Sequence, residues 1–127
     1  MDKAKAGNSM TELKGLRVLI VEDEVLIADL VQEMLVDLGC VPIGPATTLD
    51  KAHALLANET IDAALLDVRL GKQEVFSLAQ ALLGRGVPFA FMSGSGAHGF
   101  PQPWQGHPSL GKPFTPDQLA ACLRGLR

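Results

Sequence analysis

The sequence predicts an α/β domain built on a doubly wound, five-stranded parallel sheet, and three observations carry that expectation. Short apolar runs, LRVLIV at residues 16–21 and AALL at residues 63–66, read as strands buried on both faces. They alternate with stretches of helical spacing, of which Leu26, Ile27, Leu30, Val31, Met34, Leu35 and Leu38 form the first. The 127 residues include one Trp, five Phe and no Tyr, so the interior must be mainly aliphatic. Alternating strands and helices imply one parallel sheet covered on both faces, and right-handed crossovers make it doubly wound.

Met1 to Lys14 is polar and without period, and reads as a mobile tail before a domain of residues 15–127. The first strand, Leu16 to Val21, ends at Glu22-Asp23-Glu24, and the first helix follows from Val25 to Leu38 with Gly39 as its C-terminal cap. Val41 to Gly44 is a second short strand. Thr47, with Asp50 three residues on, is placed to cap a helix from Leu49 to Ala57. The third strand ends at Asp67, and a third helical pattern runs from Gln73 to Leu83. Pro88 to Met92 is the fourth strand, ending at Ser93. Gly94 to Pro108 then holds four glycines and three prolines, so the fourth helix is expected to be short or irregular, at most one turn inside an ordered loop. Ser109 to Gly111 is a very short fifth strand leading to Lys112-Pro113. Thr115, Pro116 and Gln118 supply an N-cap, an N1 proline and a capping-box partner for the last helix.

Composition narrows the function. With 47% apolar and 20% charged residues the chain is globular. A net charge of -3 with no basic run argues against a nucleic-acid partner. Cys40 and Cys122 lack metal-type spacing and read as free thiols of a reducing compartment. The N-terminus has no apolar signal core, and no run approaches the roughly 18 to 20 residues that span a bilayer, so a cytoplasmic location without membrane contact is expected.

Two glycine patterns are decoys. Gly94 to Gly99 matches G-x-G-x-x-G, but Pro101 and Pro103 follow where a dinucleotide site needs a helix. Gly106 to Lys112 matches the start of a P-loop, but Pro113 stands where a magnesium-binding Ser or Thr belongs. His53, His98 and His107 are scattered without ligand spacing and read as loop or surface residues.

The strand ends carry the chemistry. In a parallel sheet all C-terminal ends share one edge, so Glu22, Asp23, Asp67, Ser93 and Lys112 can converge despite their separation in sequence. Three adjacent carboxylates resist ionisation unless a cation joins them, and hard oxygen ligands suit octahedral magnesium. Lys112 adds a positive charge and Ser93 a hydroxyl. An Asp beside a metal, a Lys and a hydroxyl is prepared for phosphoryl transfer.

On VLIVEDE (Glu22, Asp23), LLDVRL (Asp67), FMSG (Ser93) and KPF (Lys112, Pro113), the chain resembles the CheY-like receiver domains of two-component response regulators, from Leu16 to Leu126. The resemblance implies a (βα)5 flavodoxin-like fold and Mg2+ held by Asp23, Asp67 and the backbone carbonyl of Arg69, with Glu22 acting through water. It implies that Asp67 is the phosphoacceptor, served by a sensor histidine kinase or a histidine phosphotransfer protein, with Lys112 and Ser93 assisting. It implies a signalling domain rather than an enzyme, one that catalyses only its own phosphorylation and dephosphorylation. Output is then expected through protein contact or phosphorelay, with a homodimer left open.

Three departures stand out: Glu22 where Asp is common, Ser109 at the usual aromatic switch position, and the Gly/Pro segment in place of the fourth helix. With DVRLG and PFAFMSG, the segment resembles stand-alone alphaproteobacterial receivers paired with HWE-type kinases. Arg69 either contributes only its carbonyl or reaches the phosphoryl group with its side chain. The alternatives are a receiver-like interaction module that is not phosphorylated and a phosphohydrolase; the second lacks its usual acid two residues after the nucleophile, where Arg69 stands.

Overall fold

The computed structural model describes residues 13–71, 73–94 and 100–126. Its elements in chain order are β1 (Arg17–Val21), α1 (Val25–Asp37), β2 (Val41–Ala46), α2 (Leu49–Asn58), β3 (Ala63–Asp67), a hairpin of β4 (Arg69–Leu70) and β5 (Gln73–Glu74), α3 (Phe76–Gly84), β6 (Phe89–Ser93), a single 3-10 turn (Gln102–Trp104), β7 (Ser109–Gly111) and α4 (Pro116–Leu126). Five strands form one sheet in the order β2-β1-β3-β6-β7, and every neighbouring pair is parallel. The expected doubly wound architecture is what the chain adopts.

Alternation along the central strands sorts the interior into two layers. Leu19, Val21, Ala64, Leu66, Phe89 and Phe91 face α2, α3 and the turn after β6, with Ala52, Leu56, Leu78, Leu82, Phe100 and Trp104 packed on them. Val18, Ile20, Ala63, Leu65, Ala90 and Met92 face α1 and α4, with Val31, Leu35, Leu119 and Leu123 on that side. The central strands β1, β3 and β6 are therefore apolar on both faces, which is why their sequences run continuously hydrophobic.

The ends of the helices follow their cap chemistry. Gly39, at φ +87°, closes α1 in the left-handed conformation that a side chain would strain. Thr115 and Gln118 satisfy each other's backbone N–H at 3.1 and 2.8 Å, the reciprocal capping box expected for α4.

Four expectations need correction. The cap of α2 is Thr48, whose hydroxyl accepts from Lys51 N at 3.1 Å; Thr47 lies one residue too early. The second strand continues to Ala46 through an irregular register at its end. The third helix begins at Phe76, because Gln73–Glu74 pair antiparallel with Arg69–Leu70. Gly71, at φ +59°, makes the turn of that hairpin, Val75 N bonds to Val68 O at 3.0 Å, and Leu70 and Val75 are buried as anchors. Leu13, assigned to the tail, is buried against the second layer, and Leu16 N donates to its carbonyl. The rest of the expected tail, residues 1–12, and most of the G-x-G-x-x-G match, including His98, lie outside the described residues.

Candidate functional site

Parallel register decides which strand ends meet. Val21 pairs with Leu66, Asp67 with Met92, and Ser93 with Gly111. Glu22, Asp67, Ser93 and Lys112 therefore emerge side by side at the C-terminal edge of the sheet, and Lys112 N bonds to Ser93 O at 2.8 Å.

Glu22 is fully buried, an exceptional position for a carboxylate. Its two oxygens are both partnered: Oε2 accepts from Glu24 N at 3.1 Å and Oε1 from Lys112 Nζ at 2.8 Å. The same ammonium lies 3.3 Å from Asp67 Oδ1, so Lys112 sits between two acids contributed by different strands. Asp23 Oδ2 accepts from Gly71 N at 2.8 Å, which ties the tip of the β4–β5 hairpin to the end of β1. Ser93 is buried as the last residue of β6.

The electrostatics are those of a cluster short of positive charge. Burial, and then the neighbouring Glu22, raise Asp67 to about 6, against the pull of Lys112. Burial works against the Lys112 ammonium, but its hydrogen bond to Glu22 and the charges of Asp67 and Glu22 prevail and raise it. One oxygen each from Glu22, Asp23 and Asp67 lies within 4.8 Å of the other two. Three hard oxygen donors, with one of them reluctant to ionise alone, fit a divalent cation of the magnesium type.

Arg69 follows Asp67 by two residues and is exposed, with its guanidinium 3.7 Å from Glu74 Oε2 across the hairpin. Sequence reasoning missed the partners Gly71, Glu74 and Glu24 N. The only signal for the first two was Leu70-Gly71 within RLGKQE, a turn glycine between residues that can pair.

The segment after β6 contributes rings instead of charges. Phe100 and Trp104 are buried among Phe76, Phe89 and Phe91, and His107 stacks on Phe89 at 4.2 Å. His107 lies in a loop, as expected, but is half-buried there against Phe89, and that burial lowers its pKa.

Residues 18–124 match the sequence profile of the response regulator receiver domain. The chain belongs to that family. Receiver domains are the signalling domains of bacterial two-component systems, and this one has the family's acidic cluster at the expected sheet edge. The receiver is similar to SdrG from Sphingomonas melonis Fr1, with 37% identity over 90% of this chain and 97% of that one, at a TM-score of 0.80. SdrG has also been solved in a BeF3-activated conformation, there from Pseudomonas melonis Fr1, at 38% identity over 89% of this chain and 97% of that one and a TM-score of 0.78. The response regulator PhyR from Brucella abortus is 26% identical over 97% of this chain and 52% of its own, at a TM-score of 0.76. The uncharacterized transcriptional regulatory protein YbdJ of Bacillus subtilis is 32% identical over 121 residues, 90% of this chain and 52% of that protein. The chain thus spans about half the length of this curated relative. Among the described residues of the receiver, no helix is long and apolar enough to cross a membrane.

Proposed function

We propose that this receiver accepts a phosphoryl group on Asp67 from the phosphohistidine of a sensor histidine kinase or a histidine phosphotransfer protein. The observation that carries the reading is the position of Lys112 Nζ, 2.8 Å from Glu22 and 3.3 Å from Asp67. A carboxylate oxygen of Asp67 attacks phosphorus, a P–O bond forms, and the P–N bond breaks with its electron pair leaving on the imidazole. Lys112 balances charge on the phosphoryl oxygens, and the Ser93 hydroxyl donates to one of them. Asp23, Asp67 and the Arg69 carbonyl would hold Mg2+, with Glu22 acting through water. When bound, the cation supplies the positive charge that keeps Asp67 ionised and neutralises the incoming group.

A protein partner suits the adjoining surface. Leu30 of α1 is 55% exposed and lines a groove with Ile27, Met34, Pro113 and Phe114 beside Lys112, and Val25 and Leu26 in the first turn of the same helix are 66% and 79% exposed. Apolar side chains clustered at the rim of a charged cleft favour docking of another protein. On this reading the domain works in the cytoplasm, relays its signal by contact or onward phosphoryl transfer, and performs no turnover beyond its own modification.

The test is incubation with Mg2+ and acetyl phosphate, followed by intact mass measurement. One added phosphoryl group is expected, absent from Asp67→Asn. If no group is added with acetyl phosphate or with a competent kinase, the domain is a receiver-like interaction module.

A further inference from the structure

Arg69 and Glu74 carry more than the stitching of a hairpin. Ala64, Leu66, Val68 and Leu70 all pack on one side of the sheet, whereas Ala63 and Leu65 face the other. Asp67 and Arg69 continue that second row past the sheet edge, so both side chains belong to the same side of the chain. The chain bends at Val68 between β3 and β4, so the two residues lie no further apart than the roughly 6.6 Å of an extended pair, a distance that a long arginine side chain covers.

The hairpin holds this arginine in a defined place. Its backbone is fixed at the tip by Gly71 N on Asp23, at the base by Val75 N on Val68 O, and inside by buried Leu70. Its guanidinium is held loosely: the Arg69–Glu74 pair is 3.7 Å long, with the side chains 66% and 53% exposed. Exposed pairs of this length are weak. A phosphoryl group on Asp67 brings a charge of about -1.5 to -2 and three acceptor oxygens, against the single charge of Glu74.

We propose that Arg69 is a binding residue for the phosphoryl group and that Glu74 is the positioning residue that keeps it aside until the group arrives. Modification of Asp67 exchanges one ion pair for another: the guanidinium leaves Glu74 and takes the phosphoryl oxygens as a fork. The Glu74 carboxylate is freed on the outer face of the hairpin, next to the site, as a surface mark of the modified state. This inference rests on the reading of Asp67 as phosphoacceptor.

The experiment is titration of the full chain with beryllium fluoride in the presence of Mg2+, followed by NMR of the Asp67 region and of the arginine Nε–H groups. The wild type should bind and show a shifted, exchange-protected Arg69 Nε–H. Arg69→Ala should weaken binding by about tenfold, as expected for loss of one charge-assisted fork. Glu74→Gln should tighten binding by about threefold, since an exposed pair of this kind restrains its partner only slightly. The double variant should match Arg69→Ala, because Glu74 acts only through Arg69. Wild-type binding with unchanged affinities in both single variants, or with additive effects in the double variant, overturns the exchange and leaves the phosphoacceptor reading intact. Absence of wild-type binding at Asp67 overturns both.

Discussion

Two neighbouring parts of the sheet edge are built by opposite means. Around Asp67, long-range polar bonds hold the geometry: Lys112 to Glu22 across 90 residues of sequence, and Gly71 to Asp23 across 48. After β6, in residues 100–107, the backbone is irregular and the geometry is held by rings, with Phe91 at 5.0 Å from Phe100 and 5.9 Å from Trp104. The cleft concentrates unbalanced charge that a ligand can satisfy, whereas the ring cluster is already complete. The first is therefore poised to respond and the second to support, although both hang from the same strand.

The largest effect that would break this contrast is Trp104→Ala. Emptying a buried indole site should cost about 3–5 kcal/mol in denaturant unfolding. At temperatures where the variant stays folded, acetyl phosphate should still add one phosphoryl group. Loss of that modification in a folded variant would mean that the two regions are one unit.

Lys112→Ala tests the charged side. It strands the fully buried Glu22 carboxylate, at a cost of about 2–3 kcal/mol given that the lysine is partly solvated. Adding Glu22→Gln should recover most of that loss in the same unfolding assay, because the stranded charge has gone.

Asp67→Asn has the smaller effect and the opposite sign. Asp67 titrates near 6 in the folded chain and near 3.8 when unfolded, so between these values the folded state binds more protons. Its contribution to stability is full below pH 3.8 and is lost as pH rises through 6. Without divalent cations, Asp67→Asn should be more stable than wild type at pH 7.5 by no more than about 3 kcal/mol, with the gap closing toward pH 4. Melting temperatures across that range check it, and a gap independent of pH would refute the assignment.

The contrast also explains what could be read from sequence. Polar residues that interrupt apolar strands announce themselves, because a run such as AALLD has a single charged end. Parallel topology then brings Glu22, Asp67 and Lys112 together without further information. The ring cluster gives no such signal. Phe100 and Trp104 lie among glycines and prolines with no period to say which faces inward, so their burial is purely tertiary. The hairpin was missed for a related reason. Val75 and Phe76 fit a helical pattern that reaches back over Gln73 and Glu74, and only the Val68–Val75 bond and the turn at Gly71 decide against it. Thr48 rather than Thr47 is the cap because it directly precedes Leu49 and its hydroxyl reaches Lys51 N, and two adjacent threonines offer the same chemistry to a reader of the sequence.

The two borders of the sheet have a consequence for assembly. β2 borders it on one side with the sequence VPIGPA. Val41 N bonds inward to Leu16 O, so alternation turns the nitrogen of Pro42, which carries no hydrogen, to the open side. β7, the opposite border, is three residues long. Among the described residues, neither rim offers a long continuous ladder onto which a foreign strand could polymerise. Growth of the sheet from molecule to molecule is disfavoured at both rims, which leaves helices and loops as the better surfaces for a partner.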